Sequence, residues 1–589
     1  MYKRQENKFS EKISTQLSAA LLATPEELAS SNELSSGYNA LTDSWEVIVK
    51  YVGNIYYIKD LYDRINIIKL LGNYAVFIIP SDLVDVAASL PEIIYMEKPK
   101  QFNYEVYQGR RTSCITSIPQ SFGTLTGEGV LLCVIDSGID YTHPDFIENR
   151  KSRIAFLWDQ TISTGPAPFL DSFGTVYDNE TLTRAINAAS IDERISICPS
   201  IDISGHGTHV AGIAAGNGNA SNGVYKGVAS KSTLIIVKLA TSSQTSFPTT
   251  TQVMLAVDFC IRKANEMGMP AAINLSFGNS LGSHSGTSLL ETYLDFIASN
   301  YRCSIIAGCG NEGTGYGHAG GNSYPGFTEF SVGDYEPVVS MSLWKQYWDK
   351  IRITLTAPDG SRFSIPESVS SSGSGFFYRY DIDSTDIYIT GGGPAPYSPF
   401  QEIYIELSAN NSYVSSGIWT LDLTPLSIKD GNWDVWLASA GLRGNQTSFI
   451  QSDPGITLTI PSTSQKVVSV GAYDSLTERI ASFSGRGYTW TYNFIKPDLV
   501  APGVDITSCA PGGGYTSKSG TSMAAPFVTG SAALLMEWGI VQKNDIYMYA
   551  DKLKAYLING TKPIISSISY PNNSTGWGAL CLRNSLIQI

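Results

Sequence analysis

The chain predicts an α/β protein: a parallel sheet with helices on both faces, preceded by a small α+β unit and interrupted by an antiparallel sandwich of jelly-roll type. Three observations carry this. Near-continuous apolar runs at 130–135, 233–237, 272–275 and 303–307 alternate with helical spacing at 250–267 and 289–301. Strands apolar on both faces belong to a sheet covered on both sides. Between about 323 and 452, strand follows strand with Gly, Ser and Pro turns and no helix, the pattern of an antiparallel sandwich. The α/β rhythm resumes at 465–470, so the sandwich reads as an insertion.

Taken in order, residues 1–44 are polar and serine-rich, an N-terminal extension with one modest helical stretch. Residues 45–51 and 74–80 read as strands, 81–90 as a capped short helix and 93–96 as a strand. They make a separate α+β domain, 45–104. The main domain is expected over 105–322 and 453–589. The insertion spans 323–452, with strands at 351–355, 376–380, 403–407, 418–423 and 433–437. A long apolar helix follows Gly520-Thr521-Ser522.

At 589 residues the chain exceeds one compact domain. With 43% hydrophobic and 16% charged residues it is a folded, core-rich chain. A formal net charge of −13 argues against nucleic acid, whose phosphates require clustered Lys and Arg. No run is read as reaching the ~18 apolar residues of a membrane span, so no membrane partner is expected. Charged residues follow the basic start at Lys3 and Arg4, and the apolar patch 17–22 is shorter than a signal core. Cytoplasmic synthesis without a signal peptide is the expectation. The eight cysteines are scattered without a Cys-x-x-Cys pair, which predicts buried free thiols.

Open α/β sheets place ligands at strand ends. Asp136-Ser137-Gly138 follows the strand ending at Ile135, where a carboxylate can orient an imidazole. Gly205-His206-Gly207-Thr208-His209 opens a helix of small residues, and two of the chain's five histidines lie there. Asn311, in Gly310-Asn311-Glu312-Gly313, can offer an amide N–H to an oxyanion. Ser522 sits at the start of a buried helix, where backbone N–H groups and the helix dipole favour developing negative charge. Each string alone reads as a turn, a loop or a cap. His206 and His209 lack local partners for a metal. The joint order Asp, His, Asn, Ser, each beside a sheet strand, is far more specific.

These motifs, ending in Gly520-Thr521-Ser522-Met523-Ala524-Ala525-Pro526, resemble those of the subtilisin-like serine proteases, or subtilases. The likeness covers about 110–322 and 453–589, and 45–104 resembles a subtilase propeptide. It implies that Asp136 orients His206, that His206 is general base then acid, and that Ser522 attacks the scissile carbonyl. Asn311 and the Ser522 backbone N–H would form the oxyanion hole. Ser276-Phe277-Gly278 is similar to the family's substrate-binding strand, with Gly310 beside it.

In architecture the chain is similar to the clostridial Csp germination proteases, which share the missing signal, the propeptide and a jelly-roll between the Asn and Ser motifs. That likeness implies an active endopeptidase that matures by self-cleavage, activates a protein precursor and associates with the spore. Its partners would be a protein or peptide substrate and its own propeptide. The propeptide cut is expected between Lys100 and Glu105, with Gln101-Phe102 the first candidate.

No cofactor is expected. Calcium is the one cation the resemblance raises, because Asp145 matches a family ligand position, yet the loop 217–223 carries no carboxylate. Phe527 stands where many secreted relatives have histidine, a structural position. Glu312, at the rim or floor of the S1 pocket by resemblance, would favour basic or polar P1 residues. Two other readings stay open. One is a non-catalytic binding or regulatory protein on a subtilase scaffold, with the propeptide blocking the cleft. The other is carbohydrate binding by the insertion, although Trp419, Trp433 and Trp436 read as packing residues.

Overall fold

The computed structural model describes residues 10, 12–22, 25, 28, 37–70, 73–97, 105–169, 173–239, 248–365, 376–382, 384–394, 398–410, 413–444, 446–490, 494–565 and 567–589. The chain divides into two compact units, Met1–Asn103 and Tyr104–Ile589. Gln101 and Phe102, the expected cut, lie outside the described residues.

In the first unit Ser44–Tyr51 pairs antiparallel with Tyr74–Pro80 on one side and Ile93–Glu97 on the other. Asn66–Leu70 extends the sheet beyond Tyr74–Pro80. Trp45, Val47, Val49 and Tyr51 are buried in strict alternation, the two-residue period of a strand with one face in a core. Val84, Ala87 and Ala88 of a short helix share that core. So do Ile13, Leu17, Ala20 and Leu28, and Ile13 bridges Met96. Ile13, Leu17, Ala20 and Leu28, within the stretch 1–44 expected as an N-terminal extension, thus belong to the domain core. The apolar positions at 13, 17 and 20 follow a helical period that the surrounding polar residues mask.

The second unit is built on a nine-stranded sheet. Its parallel centre runs Ile154–Asp159, Thr233–Lys238, Leu131–Asp136, Ala271–Leu275, Cys303–Gly308, Val468–Asp474 and Leu499–Pro502. Leu132 and Val134 point into one core with the helices His206–Ala215 and Thr521–Met536. Leu131, Cys133 and Ile135 point into the other, with Thr250–Met267 and Leu289–Asn300. Both faces are therefore covered, which is why these strands read as unbroken apolar runs. The Thr250–Met267 helix has the expected bounds, set by a capping box between Thr249 and Gln252 and by Gly268 in the left-handed region at φ +66°.

The expectation that no run is long and apolar enough for a membrane span is corrected. The helical segment Thr521–Val541 qualifies by length and hydropathy, but 83% of its most apolar window is buried inside the fold. It is a core helix, apolar all round because protein surrounds it.

The insertion forms two antiparallel sheets between His318 and Phe449. One holds His318–Gly321, Trp433–Leu437, Val338–Gln346, Phe400–Ala409, Thr385–Gly391 and Phe376–Ile382 in that order. The other holds Arg362–Ile365, Lys350–Thr356, Gly417–Ser427, Gly326–Val332 and Ser448–Phe449. Met341 and Ile405 of the first pack with Ile353, Trp419 and Leu421 of the second. Trp419 and Trp433 are core residues of this sandwich. Trp436 instead joins Phe400 and Trp490 in a cluster linking sandwich and parallel-sheet domain. His284 and His318 stack on it, with ring centroids 4.2 and 4.8 Å away. Burial lowers the His284 pKa to about 4, and its two ring nitrogens face Leu458 O and Ser280 O at 2.6 and 2.8 Å. Trp490 Nε1 donates to Asp434 Oδ2 at 2.5 Å across the same junction.

The free-thiol expectation needs one correction. Cys114 and Cys581, 467 residues apart, form a disulfide. Cys133, Cys198, Cys260, Cys303, Cys309 and Cys509 are free and buried as predicted. The bridge was invisible in the sequence because its ends meet only through the fold, beside the backbone bond from Leu582 N to Ser113 O.

Candidate active site

Asp136 ends the fully buried Leu131–Asp136 strand. Its Oδ1 accepts from Ser137 N and lies 2.7 Å from His206 Nδ1. The carboxylate thus accepts a hydrogen bond from Nδ1–H and leaves Nε2 as the basic nitrogen. Oδ2 is buried without a partner among the described residues. Burial works against the charged imidazole, but the charge of Asp136 and its hydrogen bond outweigh it, so the His206 pKa is raised.

The ring is held by a feature the sequence reading missed. Asp202 Oδ1 accepts from Gly205 N and Ser137 Oγ at 3.0 and 2.8 Å; its Oδ2 accepts from Thr208 N and Thr208 Oγ1 at 2.9 and 2.6 Å. Gly207 N donates to Ser137 Oγ. One buried carboxylate therefore ties the helix start to the turn after Asp136. Contact there is so close that a Cβ on Gly207 would sit 2.1 Å from Gly138 O, which explains the glycine between His206 and Thr208. The available signal was local: an aspartate four residues before a helix, in Asp202-Ile203-Ser204-Gly205-His206. His209 is a different kind of residue. Burial lowers its pKa to about 4, and its Nε2 donates to Thr516 O.

Ser522 lies in the first turn of Thr521–Met536, where backbone N–H groups have no intrahelical acceptor. Its Oγ donates to Ser276 O at 3.0 Å, and Ser276 Oγ donates to Ser522 O at 3.1 Å. No hydrogen bond joins Ser522 to His206 among those described. In a substrate-free cleft the hydroxyl has the Ser276 carbonyl as an alternative acceptor, and such contacts tighten only with substrate bound. Asn311 Oδ1 accepts from Thr521 N at 3.0 Å and Thr521 Oγ1 at 3.2 Å. Because Oδ1 faces these donors, Nδ2 is the group left for an incoming oxygen.

Ser276, Phe277, Gly278, Gly310 and Asn311 border a cavity of about 120 Å³ next to Ser522. Thr459 closes it: a Cβ on Gly278 or Gly310 would lie 2.1 or 2.5 Å from its side chain. Glu312 also borders it, with its pKa raised by burial. The carboxylate accepts from Ala440 N and feels the charge of Arg443. Ser439, whose Oγ accepts from Ser280 N, completes the wall. Ser439 and Ala440 follow the Trp433–Leu437 strand of the insertion, so the sandwich supplies part of the pocket, a contribution no local motif could announce. Phe527 is fully buried and packs on Gly109, a structural role as expected.

Asp145 tests the calcium expectation. Its oxygens accept from Ala220 N, the Tyr515 hydroxyl and the Cys509 thiol. The nearby ligand-type side chains are His143 and Cys509. Both His143 nitrogens are engaged, by Gly514 O and Asp145 N, and burial pushes the Cys509 thiol pKa up. A hard cation wants several charged or carbonyl oxygens, and this donor set does not fit one.

A buried aspartate–histidine pair, a serine at a helix start and an oriented asparagine amide, with the aspartate and the asparagine at strand ends of one parallel sheet, define a protein of the subtilase class. The chain matches the Subtilase family over residues 127–382 and 435–578, and it belongs to that family. Residues 11–100 match the Csp protease B prodomain, which agrees with the core that takes in residues 13–28. Among solved structures it is similar to the CspB protease of Clostridium perfringens, with 35% identity and a TM-score of 0.74, covering 82% of this chain and 97% of that one. Among curated proteins, the Minor extracellular protease Vpr of Bacillus subtilis (strain 168) is 25% identical over 78% of this chain. The PIII-type proteinase of Lactococcus lactis subsp. cremoris (strain SK11) is 26% identical over 76%. The matches span about half of Vpr and a quarter of the lactococcal proteinase.

Proposed function

We propose that the chain is a serine endopeptidase. The observation that carries the reading is the 2.7 Å Asp136–His206 pair at the start of a helix packed on the one that opens at Ser522, with the Asn311 amide beside that serine. In this mechanism the Ser522 hydroxyl turns from Ser276 O to His206 Nε2 and attacks the scissile carbonyl, passing its proton to His206. Asp136 stabilises the imidazolium. Asn311 Nδ2 and the Ser522 N–H hold the oxyanion. His206 then protonates the leaving amine, and a water repeats the sequence to release the acyl group. A fluorophosphonate probe tests this: labelling should occur and vanish in Ser522→Ala. Folded protein that takes no label would instead support a binding protein on this scaffold.

The match to a Csp prodomain and the likeness to CspB support three finer statements. The chain cuts itself between Lys100 and Glu105, at Gln101-Phe102 first; it activates a protein precursor; and it acts in spore germination, associated with the spore. Intact mass of the purified chain tests the first, since two fragments from Ser522→Ala would rule out self-cleavage. Spores carrying that variant should germinate slowly if the last holds.

A further inference from the structure

A cavity of about 590 Å³ lies where the insertion meets the parallel-sheet domain. One wall is the chain that continues from the substrate strand: Ser276–Gly278 borders the pocket beside Ser522, and Asn279, Leu281 and Gly282 border this second cavity. The other wall is the outer face of the sandwich. Trp344 and Glu402 are direct antiparallel partners, as are Ser342 and Tyr404. Residues two apart on a strand share a face, so these four side chains form one patch. Their neighbours Met341, Leu343, Ile403 and Ile405 fill the sandwich core behind it.

The patch is organised around a carboxylate. Trp344 Nε1 donates to Ser342 Oγ at 2.7 Å, and Ser342 Oγ donates to Glu402 Oε1 at 2.5 Å. No described basic side chain pairs with Glu402. Solvent reaches it, yet the cavity walls raise its pKa, opposed only by the Ser342 hydroxyl. Leu289, 62% exposed, adds apolar surface on the opposite wall. A carboxylate between indole and phenol rings, with no cation of its own, matches the charge and the aliphatic stem of Lys or Arg.

We infer that this cavity is a substrate subsite that takes a basic residue of the protein substrate, upstream of the scissile bond. From Ser276 to Gly282 the chain spans at most about 20 Å at ~3.3 Å per residue, so the bound residue lies within about six positions of the cut. The inference rests on the proteolytic reading and names the substrate class for it.

The test uses full-length chain and fluorogenic decapeptides that differ only by Lys, Gln or Glu at those positions. The wild type should cleave the Lys series roughly 5- to 10-fold faster in kcat/KM than the Gln series, the range of one partly exposed cation–carboxylate–aromatic contact, and the Glu series more slowly still. In Glu402→Gln, a substitution that keeps the volume, the Lys preference should collapse to near unity. Equal rates for the three series, or a preference that survives Glu402→Gln, would overturn the inference. Fluorophosphonate labelling of Ser522 reports the proteolytic reading separately. If labelling fails, fluorescence polarisation with Ser522→Ala chain measures the same Lys-to-Gln ratio as Kd, and no preference or no binding also overturns it.

Discussion

Asp202→Asn should disable the site without touching any residue that meets substrate. Asp202 is 2% exposed and accepts five hydrogen bonds, three on Oδ1 and two on Oδ2. Asparagine keeps the shape but turns one oxygen into a donor, so the backbone N–H of Gly205 or of Thr208 loses its acceptor whichever way the amide lies, while the hydroxyls can turn to accept. A hydrogen bond to a charged acceptor contributes about 1.5–3 kcal/mol, so the change costs at least about that much. That is large beside the ~5–15 kcal/mol that separates folded from unfolded protein. The loss falls on Gly205 and its neighbour on the same oxygen, Ser137, or on Thr208, all within two residues of His206 or Asp136. A misplacement of about 1 Å lowers turnover ~10²-fold. The assay is kcat/KM on a short fluorogenic peptide, measured well below the melting temperature of each variant, together with the melt itself. A variant with the wild-type melting temperature and kcat/KM within threefold of wild type would refute the argument that Asp202 positions His206.

Three further outcomes follow from the same geometry. His206 must be neutral to accept the Ser522 proton, and its pKa is raised by Asp136. The acidic limb of kcat/KM should therefore lie above the unperturbed ~6.5 and move down in Asp136→Asn; a limb below that value in the wild type would contradict the assignment. Asn311→Ala should lower kcat about 10²–10³-fold with little change in KM; an equal loss in binding alone would remove Asn311 from the oxyanion site. Unfolded without reductant, the chain should expose the six free thiols and not all eight cysteines. Reduction should lower stability by about 2–5 kcal/mol, and a melting temperature indifferent to reductant would refute the Cys114–Cys581 bridge.

How much of this was legible depended on whether the cause was local. The Thr250–Met267 helix was readable to the residue because apolar spacing, a Thr–Gln capping box and a terminal glycine all act within a few positions. The four site motifs were readable for the same reason: each is a short string fixed by one turn at a strand end or a helix start. Asp202 was half-legible, since its place before the helix was visible but its bond to Ser137, 65 residues away, was not. The N-terminal helix was underrated because polar residues hide a three-residue apolar stripe. Ser439, Glu402 and the Cys114–Cys581 bridge had no local signal, as each gains its meaning from a partner brought up by the fold.

That last group changes what the insertion is. It leaves the parallel-sheet domain just after Asn311 and Glu312 and returns just before Thr459 and Ile460, so both of its stems border the substrate pocket. A loosely tethered domain at that point would blur the pocket, since a wall that moves cannot select side chains. Here the junction is held rigid. Trp436 lies between two imidazoles, and Asp434 accepts from both His318 and Trp490 inside a buried cluster. Ser439 and Ala440, only a few residues past that clamp, then bind Ser280 and Glu312. Glu402 reaches the neighbouring cavity from the same sheet. The order of events along the chain thus gives the sandwich a specific task. The parallel-sheet domain carries the bond-breaking groups, and the insertion, clamped through Trp436, sets which side chains can lie beside them.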